Sequence, residues 1–161
     1  MSSILASVLI GCGATVLFDL WARTVSRMRG APPPAWGLPG RWFANVARGR
    51  VVHASIAAAP PVTNEALIGW IGHYAVGVAF AGVVVAWGGQ AWLAAPTLGP
   101  PLFVGVATVL LGWLVMSPGM GNGIAAARAP APWTARGLGL AAHVVFGLAM
   151  WVCALVLAAL G

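Results

Sequence analysis

Three ionisable side chains, Asp19, His73 and His143, lie inside long apolar stretches of a chain that has only two acids and three histidines. An ionised group at the centre of a bilayer costs about 2.5–3.5 kcal/mol or more, so such residues mark function by default. One carboxylate and two imidazoles can take up and release a proton or a cation, and the same donor set suits zinc or iron. A neutral histidine can also donate one N–H to a carbonyl or hydroxyl on a neighbouring helix and simply hold a bundle together. The residue types leave both uses open. Arg23 follows Asp19 by four residues, a spacing that allows an ion pair on a helix. The second acid, Glu65, opens an apolar stretch. The helix dipole favours an acid there, and a carboxylate at the mouth of a cavity is the functional alternative. No serine–histidine–acid set, paired carboxylates or cysteine metal spacing is visible. Gly119, Gly121 and Gly123 lack the preceding strand and following Lys-Ser/Thr of a phosphate loop. No catalytic residue, resident metal or cofactor is therefore assigned.

The elements that must position these groups follow from composition. The 161 residues are 61% hydrophobic and 6% charged, against roughly one quarter charged in a soluble domain. The apolar runs are long and unbroken rather than alternating. They predict an all-α membrane protein, a single domain with four transmembrane helices at about 3–28, 65–87, 97–116 and 134–160. Each is long enough for a bilayer, which takes about 20 residues. Cys12 and Cys153 fall inside these runs as small buried hydrophobes. Leu9-Ile10-Gly11-Cys12 has the look of a lipidation site, but no Lys or Arg precedes it and the apolar run continues past it.

Between spans one and two, GAPPPAWGLPG cannot be helical throughout. After it, residues 41–56 read as an amphipathic helix on the membrane surface. Arg41, Asn45 and Arg48 form its polar side; Trp42, Phe43 and Val46 form its apolar side. Arg41, Arg48 and Trp42 are thus expected at lipid headgroups. The net charge of +6 comes entirely from arginines in the connectors and span ends, so lipid rather than nucleic acid is the expected partner. The positive-inside rule puts the arginine-bearing connectors in the cytoplasm and both termini in the periplasm of a bacterial inner membrane. Trp21, Trp36, Trp42, Trp70 and Trp133 would mark one interface, Trp87 and Trp92 the other.

The two halves resemble each other. Ala14-Thr15-Val16-Leu17 recurs as Ala107-Thr108-Val109-Leu110, and APPPAW as APAPW. Gly69, His73 and Gly77 recur as Gly139, His143 and Gly147, each set on one helix face. Two spans per half preserve direction, giving a parallel two-fold repeat of two-helix units. The four glycines are the expected helix-packing positions, where small residues let backbones approach in lipid. Both histidines lie about nine residues, roughly 13 Å, into their helices, a depth similar to that of Asp19.

Several blocks, GATVLFDLWAR, GRVVHASI, GWIGHYAVG, APTLGPPLFVG and MSPGMGNGIAAARAPAP among them, resemble a family of short bacterial membrane proteins catalogued as domain-of-unknown-function family 2938. The resemblance covers nearly the whole chain and implies a bacterial multi-pass membrane protein; it brings no activity, substrate or site residue with it. From the residues, the leading function is a small oligomeric transporter or permease with a buried Asp/His site. The alternatives are a structural or accessory membrane subunit, and a membrane-embedded metal enzyme. A homo-oligomer or another membrane protein is the expected partner.

Overall fold

The computed structural model describes residues 1–160 and is all-helical, with no strand among them. Five helices carry the fold: α1 (Ser3–Met28), α2 (Gly37–Val46), α3 (Glu65–Ala94), α4 (Gly99–Gly119) and α5 (Pro132–Leu160). All but α2 are long and apolar enough to cross a membrane.

α1 matches its expected bounds; Ser2 caps it by accepting from Leu5 N at 3.3 Å. α3 runs past the expected end at Trp87 because Gly89, at φ 62° and ψ −162°, lets the chain break and resume without a steric penalty. α4 begins with Gly99, Pro100 and Pro101 in its first turn, where missing N–H groups cost nothing. It widens into a π-helical stretch at Gly112–Met116 before ending at Gly119, one residue beyond Pro118.

α2 departs most from expectation. It begins at Gly37 and stops at Val46. Gly49, at φ 79°, ends it in a Schellman turn: Arg50 N donates to Asn45 O and Gly49 N to Val46 O, each at 2.9 Å. Residues 50–55 therefore leave the helix, and His53 is not on it.

The chain divides into two compact units. One comprises 1–33, 74–107 and, of the described residues, 142–160. Its core includes Ile10, Ala14, Val84, Val104, Phe146 and Met150, drawn from α1, α3, α4 and α5. Two close crossings organise it. At the first, α1 meets α3: a Cβ on Gly11 would come within 2.5 Å of Val78 Cα, and one on Gly77 would collide with Thr15 Oγ1. At the second, α4 meets α5: a Cβ on Gly105 would lie 2.6 Å from His143 O, and one on Gly147 2.9 Å from Pro101 O. Backbone approaches this close are available only to glycine.

The other unit comprises 34–73 and 108–141. Here α2 lies on the first turns of α3, and a Cβ on Gly40 would collide with Glu65 O. Trp42 is buried, its Nε1 donating to Val51 O at 2.8 Å and its ring covering Gly119. The loop after α4 is held by Ser117, which donates to Gly123 O at 2.7 Å and accepts from Ala126 N at 2.9 Å. Ala125 and Ala126 in that loop are left-handed, at φ 49° and 57°, a conformation that costs a non-glycine residue roughly 1 kcal/mol.

Candidate functional site

Asp19 sits deep in α1 with 8% of its surface exposed. One turn before it, Thr15 is fully buried and satisfies its own hydroxyl by donating to Gly11 O at 2.8 Å. One residue before it, Phe18 meets Phe146 of α5 edge-on at 6.5 Å, and Tyr74 of α3 lies within electrostatic reach of the carboxylate. The carboxylate thus lies on α1 within electrostatic reach of α3, in the unit that also holds the α1–α5 aromatic contact.

His143 belongs to the same unit. Its Nδ1 lies 3.1 Å from Gly105 O on α4. A carbonyl only accepts, so Nδ1 carries the proton, and the lone pair of the neutral ring lies on Nε2. The bond spans the α4–α5 crossing at the same glycine that permits the close approach.

His73 belongs to the other unit and has a different setting. Its ring stacks on Trp36, with centroids 3.8 Å apart and planes at 23°, and Trp70 tilts against both. Trp36 Nε1 is buried and makes no hydrogen bond within the protein. Of the expected trio, Asp19 and His143 therefore share a unit and His73 lies in the second. Among the described residues, no group of three His, Cys, Asp or Glu side chains is placed to hold a metal ion.

Glu65 is occupied by a partner that the sequence did not indicate. Arg41 Nε donates to Oε2 at 2.8 Å and Nη2 to Oε1 at 3.0 Å, a two-pronged pair; Val62 N adds a bond to Oε2 at 3.2 Å. Arg41 Nη1 donates to the carbonyls of Ile56, Ala57 and Ala59, the last at 2.8 Å. The carboxylate holds the Arg41 guanidinium above even its ordinary high pKa, chiefly through this hydrogen bond.

Arg41 and Trp42 are therefore not headgroup residues: both are buried, with Asn45 beside them donating to Arg41 O at 2.8 Å. The side of α2 that reads as polar faces the protein because its arginine has an acid and three carbonyls to satisfy it. Arg48 stays exposed. Of the tryptophans expected at interfaces, Trp87 and Trp133 are exposed, whereas Trp92 is buried with Nε1 donating to Thr97 O at 3.0 Å.

The glycines divide in the same way. Gly77 and Gly147 make helix crossings; Gly69 meets the backbone of Trp36 rather than another span, and Gly139 meets only the Trp113 side chain, at 3.4 Å from its would-be Cβ. Gly40 and Gly105, which make equally close approaches, lie in GLPGRW and in an apolar run where nothing in the pattern sets them apart.

The family model described as "Protein of unknown function (DUF2938)" matches residues 8–157. The chain belongs to this family. No curated protein and no solved structure matches it. The family carries no described activity, so the chemistry rests on the residues just described.

Proposed function

We propose that this member of the DUF2938 family is a small permease of the bacterial inner membrane, working as an oligomer, in which Asp19 takes up and releases a proton or small cation. One observation carries the reading: Asp19 is a carboxylate buried in the middle of an apolar helix. A carboxylate kept in such surroundings at a cost of several kcal/mol needs a reason. Tyr74, within electrostatic reach of Asp19, supplies a hydroxyl that can share a proton with it. Four spans leave little room for an internal path, which is why an oligomer is part of the proposal.

The test is proton flux into proteoliposomes followed with a pH-sensitive dye. The parent chain should carry protons down an imposed gradient, D19N should fall to the level of empty vesicles, and D19E should retain part of the rate. Flux in D19N equal to the parent's would end the proposal.

A second reading, a structural or accessory subunit, is favoured by His143, whose bond to Gly105 O is the kind that fastens helices. Under it, flux stays at the level of empty vesicles in the parent and in every variant, and H143F lowers thermal stability.

A further inference from the structure

A cavity of about 400 Å³ opens in the unit formed by 34–73 and 108–141. His53 and Arg128 line it, together with Val52, Ile124 and Ala127. Its wall includes part of the loop that holds left-handed Ala125 and Ala126. Strained backbone of this kind persists where surrounding structure fixes it, and it concentrates at ligand sites. Ser117 does the fixing here, bridging Gly123 and Ala126.

The charge of this unit is unbalanced. It contains five arginines, Arg41, Arg48, Arg50, Arg128 and Arg136, against one acid, Glu65, a net charge of +4 with histidines neutral. Glu65 gives both oxygens to Arg41. No carboxylate of the unit is left for Arg128, whose exposed guanidinium is thus available to an anion. Beside it, Val52 and Ile124 are large aliphatic side chains, 71% and 63% exposed. A cation set between exposed aliphatic groups matches an amphiphile: a charged head with hydrocarbon attached. His53 adds a directional group. Its Nδ1 lies 3.0 Å from Gly119 O, which fixes the proton on Nδ1. Nε2 is then an acceptor in the neutral ring; it is buried and makes no hydrogen bond within the protein, so a ligand must part the cavity wall to reach it.

We propose that this cavity binds the headgroup of an anionic phospholipid. Arg128 holds the phosphate, His53 Nε2 accepts from a headgroup hydroxyl, and Val52 and Ile124 lie against the glycerol and upper acyl chain. The ligand chemistry is a phosphate diester carrying a hydroxyl, as in phosphatidylglycerol. The headgroup contact thereby passes from Arg41 and Trp42, which are used internally, to Arg128 and His53.

Native mass spectrometry of the full chain in detergent, titrated with phosphatidylglycerol or phosphatidylcholine, tests this. The parent should hold one phosphatidylglycerol at least about fivefold more tightly than phosphatidylcholine, the scale of one arginine near a lipid phosphate. R128Q should abolish that preference. A127F should do the same by filling the cavity with the charge unchanged. R48Q, an exposed arginine that does not line the cavity, should keep it. Ala127 and Arg128 are both exposed, so circular dichroism should show both variants folded. Undiminished preference in A127F, or equal losses in R48Q and R128Q, would overturn the site in favour of diffuse surface charge. Displacement of the lipid by millimolar inorganic phosphate would overturn the lipid as ligand.

Discussion

At the scale of residues, the chain's two acids were legible in sequence to different degrees. Asp19 was readable as a buried carboxylate because an acid stands inside an apolar run. Glu65 was readable only as the first residue of a helix. Its partner Arg41 lies 24 residues earlier, across a Pro/Gly segment whose path no spacing rule describes. The pair is two-pronged, and Arg41 also caps three carbonyls. R41Q and R41K should therefore both lower the melting temperature in detergent by several degrees, because a lysine cannot reproduce the planar fork. E65Q should cost a similar amount, and the double variant R41Q/E65Q less than the sum of the two. R48Q serves as the control and should melt with the parent. Additive losses in a nanoDSF double-mutant cycle would show that the two residues do not act as one pin.

At the scale of elements, hydropathy located the four spans to within a few residues at most ends, since apolar length is what a bilayer selects. It failed on α2. That helix reads as amphipathic, yet its arginine-bearing side is inward, and hydropathy cannot tell a solvated arginine from one satisfied by protein oxygens. Glycine periodicity did better for Gly77 and Gly147 than for Gly69 and Gly139, because spacing shows which glycines share a face but not what lies opposite. The distinction is testable one methyl group at a time. G40A, G77A and G147A should each destabilise the protein by about 1–3 kcal/mol, the usual cost of forcing extra atoms into packed contacts. G139A should be close to neutral. G137A, with nothing within 4 Å of its would-be Cβ, should match or slightly exceed the parent, since alanine favours helix by up to about 1 kcal/mol. Unfolding in mixed micelles gives these differences, and a G77A as stable as G137A would remove the close-crossing argument.

At the scale of the whole molecule, the sequence repeat has a counterpart in packing. The second glycine of each Gly-x3-His-x3-Gly run, Gly77 or Gly147, crosses the preceding span where that span carries Gly11 or Gly105. The histidines do not follow the repeat: one stacks on Trp36 and the other bonds Gly105 O. Topology is the prediction that belongs here. Within the first unit, Gln90 Nε2 donates to Ser3 Oγ at 3.1 Å and Trp151 Nε1 to Pro96 O at 3.1 Å. These bonds gather the N-terminus, the α3–α4 connector and the last turns of α5 at one end of the bundle, as four spans require. The connector from Gly88 to Leu98 holds no charge, whereas the connectors before α3 and after α4 hold Arg41, Arg48, Arg50 and Arg128. By the positive-inside rule the uncharged end is expected to face outward. In a background with Cys12 and Cys153 replaced by serine, a cysteine at Gln90 should react with an impermeant maleimide on intact cells. One at Arg50 should react only after the membrane is opened. Reaction of both on intact cells would rule out four spans, and reaction of Arg50 alone would reverse the orientation.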